Sequence, residues 1–231
     1  MAKRKPEPIS PEKRRRGPVL TVVVSFISAG LIAAIGALLL FAWIAEELPE
    51  GDTIGFDSAV RGFVHDHSAA WLTLVMQGFS FLGSTIILSI GSLAVLVILY
   101  RTRHRHSAVL FAVTMMGATI LNFVLKISFV RERPVPYFDT PLPTSYSFPS
   151  GHALFSLCFY GSLAWVWAAH PIGDRKKIAA WIVALFLIFF IGLSRVYLGV
   201  HYPSDVVAGY LAAFVWVSAV FGTDVWLEKE K

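Results

Sequence analysis

Cysteine is almost absent from this chain of 231 residues; Cys158 is the only one. An intramolecular disulfide is excluded, and no Cys/His spacing of the metal-binding kind occurs. Cys158 falls inside an apolar run, where it reads as a buried small side chain. Charge is also scarce. Only 15% of residues are Asp, Glu, Lys or Arg, while 56% are hydrophobic; a soluble domain carries about 25% charged residues. Six stretches hold no charged residue at all: 18–45, 68–100, 107–125, 153–169, 178–194 and 206–223. They are unbroken apolar runs and not amphipathic stripes. No internal repeat and no second domain are visible, and no Ala-x-Ala cleavage site of a signal peptide follows the first run before Glu46.

A helix that crosses a bilayer needs ~20 apolar residues. The first three runs meet this outright, and the last three meet it if a flanking polar residue joins the helix at the interface. The expected fold class is therefore all-α: an integral membrane bundle of six transmembrane helices over 18–227. Residues 1–17, basic and proline-containing, read as a disordered cytoplasmic tail. Nucleic-acid binding is not needed to explain this charge, because a topology anchor does so.

Positive residues are retained in the cytoplasm. With the N-terminus inside, segments 1–17, 101–106, 171–177 and the tail after about 224 hold 15 of the 20 Lys and Arg residues. The expected orientation is N-in and C-in. On the outer side, Phe56, Val60, Phe63 and Val64 recur at helical spacing, with Asp57, Arg61 and Asp66 read as off that stripe. A short interfacial helix is expected there, beside which a lipid tail could enter from the outer leaflet. Residues 134–149, with five prolines, read as a loop.

Against this apolar background stand three polar clusters, all falling at the outer face in this topology. The first is Lys126-x6-Arg133-Pro134. Lysine at a helix end can be a snorkelling anchor; together with Arg133 it can instead form a cationic cradle for phosphate oxygens. Arg131, between them, could join the cradle, but solvent or a lipid headgroup is its expected environment. The second is Pro149-Ser150-Gly151-His152. Ser150 suits a helix N-cap and Gly151 lets backbone N–H groups approach an anion. An ordinary capped helix start would read the same way without His152, which can donate a proton to a leaving oxygen.

The third cluster, Ser194-Arg195-x5-His201-x3-Asp205, is the most specific. Asp205 can accept from one ring nitrogen of His201 and leave the other free to attack phosphorus. A buried His–Asp pair tying two helix ends together is the plainer alternative. Arg195 would be expensive at membrane depth without an anionic partner. A metal centre fits less well, since cations outnumber carboxylates here. The remaining histidines (His65, His67, His104, His106 and His170) read as background.

In order and internal spacing the three clusters resemble the signature of the type 2 phosphatidic acid phosphatase (PAP2) superfamily, in its integral-membrane lipid phosphatase branch. The signature covers 126–205 without a departure, and the six-helix layout extends the likeness over 18–227. The resemblance implies a phosphohistidine on His201 oriented by Asp205, with His152 protonating the leaving group. It implies that Lys126, Arg133, Ser150, Gly151 and Arg195 hold the phosphoryl oxygens, with no metal and no cofactor. The expected partners are a lipid phosphate or diphosphate and membrane lipids, with no nucleic acid and no obligate protein partner. Undecaprenyl pyrophosphate, phosphatidylglycerol phosphate and phosphatidate are the substrate types, acted on at the outer face of what looks like a bacterial plasma membrane. A phosphotransferase of the same superfamily, or a non-catalytic lipid transporter, is the alternative. Transport would call for ionisable residues in mid-helix, and none of the six runs contains one.

Overall fold

The computed structural model describes residues 11–51, 53–138, 140–171 and 173–229, with side chains from Ala29 onward except at 49, 50, 226, 228 and 229. All regular secondary structure among them is helical: α1 (Pro11–Glu50), α2 (Thr53–Asp66), α3 (Ala70–Leu82), α4 (Thr85–Arg101), α5 (Arg105–Phe129), α6 (Gly151–Ser156), a π-helical turn (Leu157–Gly161), α7 (Ser162–Ala168), α8 (Asp174–Tyr197) and α9 (Pro203–Lys229). Residues 1–10 of the expected tail lie outside the described residues. The helix α1 already includes 11–17, which the sequence reading placed in that tail; Pro11 suits a first helical position and Glu12 to Arg16 are good helix formers.

Among the described residues, four stretches are long and apolar enough to cross a membrane: Ala29–Leu48, Arg105–Phe129, Asp174–Tyr197 and Pro203–Val225. A fifth arises if α3 and α4, bent by 46° at their junction, form one span. The run 68–100 is thus interrupted, and Gly83 and Ser84 make the break. The Ser84 hydroxyl accepts from Ile87 N and caps α4. Gly83 is required by contact, because a Cβ there would collide with Ile191 and come within 3.1 Å of His152 Cδ2. The run 153–169 corresponds to a continuous helix through α6, the π turn and α7. Its wider turn lies where Phe159 meets Phe111 edge-on.

The outward faces are apolar; Leu39, Leu93, Ile120 and Phe189 are all exposed. This is the surface expected when hydrocarbon and not water surrounds the bundle. α9 packs against α1, α5 and α6, and α3 packs against α8. The loop 130–150 folds back over the helix ends. Its Phe148 is fully buried against Phe41 and Phe129, Ser147 N donates to Arg131 O, and Ser150 N donates to Asp205 O. These contacts bring all three polar clusters to one end of the bundle.

The expected interfacial helix exists as α2, but its stripe divides. Phe56 and Phe63 point away from the bundle, 56% and 65% exposed, while Val60 and Val64 pack inward beside a fully buried Asp57. Asp57 is three residues before Val60 and seven before Val64, so it shares their face.

Candidate active site

His201 sits in the turn between α8 and α9. Gly199 makes that turn possible: its φ is +73°, and a Cβ would come within 2.6 Å of Tyr137 N. The His201 ring is 2% exposed. Its Nε2 lies 3.1 Å from Arg133 Nη1. A guanidinium can only donate, so Nε2 must accept, and the ring proton belongs on Nδ1. Nδ1 in turn faces Asp205 Oδ2 at 3.3 Å and Ser147 Oγ at 3.4 Å. The neighbours therefore select the tautomer with a lone pair on Nε2. Burial, opposed by Asp205, pushes the His201 pKa down to about 4, so the ring is neutral near pH 7.

Asp205 is in the first turn of α9, where the helix dipole favours a carboxylate. It is fully buried and fully partnered. Oδ2 accepts from Ser147 Oγ (2.5 Å) and Tyr202 N (2.9 Å) as well as facing His201, and Oδ1 accepts from Arg131 Nη1 (2.6 Å). Arg131 is thus neither in solvent nor at a lipid headgroup, contrary to the sequence expectation. It is 14% exposed and pairs with Asp205 and Asp57. Burying a guanidinium requires such partners, and Asp57 supplies the second one.

His152 is the second residue of α6 and borders a cavity of about 350 Å³, together with Arg195, Gln77, Ser80, Ser84 and Thr140. Beside His152 in that cavity, Ser80 Oγ accepts from Arg195 Nη1. Arg195 Nε has no partner although it is buried. Ser150 occupies the N-cap position of α6, yet its hydroxyl caps nothing; its buried Oγ is also unpartnered. Gly151 opens the same helix, where a Cβ would come within 3.1 Å of the Asn122 side-chain oxygen. Buried polar atoms without partners are uncommon in a native interior. Of the five expected phosphate-binding residues, Arg195 and Ser150 each keep a buried polar side-chain atom without a partner.

The other two cations are already occupied. All three N–H groups of Lys126 meet carbonyl oxygens, of Tyr146 (2.5 Å), Pro149 (2.9 Å) and Ser147 (3.5 Å). This excludes a snorkelling anchor: Lys126 is buried and clasps the loop that carries Ser147 and Ser150. Arg133 directs Nε to Ser145 O, Nη1 to Val200 O and His201 Nε2, and Nη2 to Ser145 Oγ and Tyr146 O. Its burial lowers its pKa from the ordinary value.

The expected residues are thus brought to one end of the fold, and sequence reasoning missed Asp57, Ser147 and the role of Arg131. The face that Asp57 shares with Val60 and Val64 was a usable signal; Ser147 offered none, since it lies in a loop rich in hydroxyls. The groove next to Phe56, about 540 Å³ and lined by Leu40, Trp43, Ile44 and Val207, is separate from the cavity at His152 and Arg195.

A family model described as the PAP2 superfamily matches residues 107–227. The chain is 32% identical over 159 residues to phosphatidylglycerophosphatase B of Bacillus subtilis, covering 67% of this chain and 76% of the relative. It is 31% identical over 170 residues to an undecaprenyl-diphosphatase of Sulfolobus acidocaldarius, covering 71% and 76%. Among solved structures, a transmembrane PAP2-type phosphatidylglycerolphosphate phosphatase from Bacillus subtilis superposes with a TM-score of 0.78 at 27% identity, over 84% of this chain and 96% of that one.

Proposed function

Because the chain belongs to the PAP2 superfamily and is a membrane lipid phosphatase, we propose that it works through a phosphohistidine on His201 and without a metal. His201 Nε2 attacks phosphorus and forms the N–P bond as the bond to the leaving oxygen breaks. His152 gives its proton to that oxygen. It then takes a proton from the water that attacks the phosphohistidine, releasing inorganic phosphate and restoring Nε2. Asp205 keeps its charge throughout and holds the Nδ1 proton in place. Arg195 and Ser150 meet the phosphoryl oxygens, joined by the Gly151 backbone and, once they exchange present partners, by Arg133 and Lys126. This cationic surround stabilises the charge that a metal would otherwise carry.

The observation that carries the reading is the tautomer of His201, whose Nε2 lone pair is left facing a guanidinium while Nδ1–H points at Asp205. The substrate is a lipid phosphate or diphosphate of the undecaprenyl, phosphatidylglycerol phosphate or phosphatidate type. The bundle has six spans in this reading, counting α3 with α4 and α6 with α7, with N-in and C-in orientation. The site faces the outside of a bacterial plasma membrane.

Purified protein in detergent should release phosphate from long-chain lipid phosphates at an undiminished rate in EDTA. With ³²P-labelled substrate and an acid-sparing quench, it should carry an acid-labile, base-stable label that His201→Ala lacks. Activity lost on chelation and restored by zinc or magnesium would sink the metal-free mechanism, and label passed to a second lipid instead of water would make the protein a phosphotransferase.

A further inference from the structure

Helix α2 contributes nothing to the three sequence clusters, yet it buries a carboxylate completely. Asp57 Oδ1 accepts from the backbone N of Ser204 (2.9 Å), and Oδ2 accepts from Ser204 Oγ (2.7 Å) and Arg131 Nη2 (2.8 Å). Ser204 N is one of the otherwise unsatisfied donors in the first turn of α9, so Asp57 caps the helix that begins beside His201. Arg131 then continues inward. Its Nη1 donates to Asp205 Oδ1 (2.6 Å) and Ser204 Oγ (2.8 Å), while its guanidinium carbon lies 4.0 Å from the centre of the Tyr202 ring.

We propose that Asp57 and Arg131 are positioning residues for the nucleophile, an Asp–Arg–Asp relay through which α2 fixes Asp205 and thereby the His201 ring. Three observations argue for it. Both carboxylates are fully buried, so each needs the shared guanidinium as counter-charge. Arg131 spends its two Nη atoms on protein oxygens, one carboxylate each, so the relay is net negative and unsuited to gripping phosphate. Asp205 has two oxygens and two duties: Oδ2 faces His201, and Oδ1 is anchored only by Arg131. Without that anchor, the carboxylate would be held through Oδ2 alone, by Ser147 Oγ and Tyr202 N, and its plane would be free to tilt against Nδ1. The outer partners of metal-bound histidines show the size of such indirect effects, roughly 10–100-fold.

The relay deepens the phosphohistidine reading and rests on it. The test compares wild type with Arg131→Met, Arg131→Lys and Asp57→Asn, measuring kcat, KM and the single-turnover rate of ³²P-phosphoenzyme formation on folded, monodisperse protein. Arg131→Met should slow phosphoenzyme formation and kcat together by roughly 10–100-fold, with KM within about twofold of wild type, since ground-state binding is untouched. Arg131→Lys should recover part of the loss, and Asp57→Asn, which keeps shape and one acceptor, should lose less than Arg131→Met. A raised KM with kcat retained would overturn the proposal by making Arg131 a substrate contact. So would a kcat per folded molecule equal to wild type in Asp57→Asn and Arg131→Lys, which are the variants to judge by if Arg131→Met does not fold. Absence of phosphoenzyme in wild type would instead remove the underlying mechanism, so the two failures are distinct.

Discussion

At the scale of single residues, the two histidines should separate by leaving group. His201→Ala should abolish turnover on every substrate. His152→Ala should lose about 10²–10⁴-fold on an alkyl phosphate but little on an activated aryl phosphate, whose leaving group needs no proton. Equal losses on both, in steady-state assays, would remove His152 as the general acid. pH offers a second check. Burial holds His201 neutral down to about 4, whereas the unfolded chain takes up that proton near 6.5. Stability contributed by the neutral ring is therefore present above 6.5 and lost as pH falls toward 4. The acid limb of kcat/KM should lie near 4, and thermal unfolding should move to lower temperature across the same window, less so in His201→Ala. His152, His201, Asp205 and the three cations were legible as one cluster because their spacing is written in the sequence. Asp57 and Ser147 were not. Asp57 bonds Ser204 across 147 residues and Ser147 bonds Asp205 across 58, and only the folded chain reveals such pairings.

Helices and turns were legible to the extent that hydropathy alone forms them. Each apolar run became helix, because a backbone in hydrocarbon must satisfy its own hydrogen bonds. The interruptions were hidden for the same reason: hydropathy does not register a glycine chosen for close contact. The α3–α4 junction is the clearest case. Gly83→Ala would drive a methyl group into Ile191 and crowd His152 at 3.1 Å. Overpacking of this kind typically costs about 1–3 kcal/mol, and displacing a reacting group by ~1 Å can cost 10²-fold. Gly83→Ala should therefore lower kcat by at least roughly tenfold while Gly78→Ala, which has open space around it, leaves kcat unchanged; parallel assays of the two variants decide this. The α2 helix was also foreseen, although as a lipid seat alone. Its inward carboxylate became meaningful only when α9 was seen to begin beside it.

For the molecule as a whole, orientation is the property most open to direct measurement. The single native cysteine is buried, so it stays silent toward water-soluble thiol reagents and need not be removed. Thr144 and Thr102 are both exposed, in the loop at the catalytic end and in the α4–α5 turn respectively. In intact cells an impermeant maleimide should label Thr144→Cys and spare Thr102→Cys; the reverse pattern would invert the proposed topology. The proposed orientation rests on the charge partition, in which 15 of the 20 Lys and Arg residues fall in the segments assigned to the inside. The partners of Arg133 have a further consequence for the proposed catalytic cycle. Each N–H of Arg133 already has a protein acceptor, so a departing phosphate leaves no bare guanidinium behind. In the proposed cycle these protein acceptors compete with the product for the same donors. Release would thereby be favoured, and a lipid would hold its advantage over free phosphate through its tail, which would let the enzyme discard its product in the presence of the phosphate it makes.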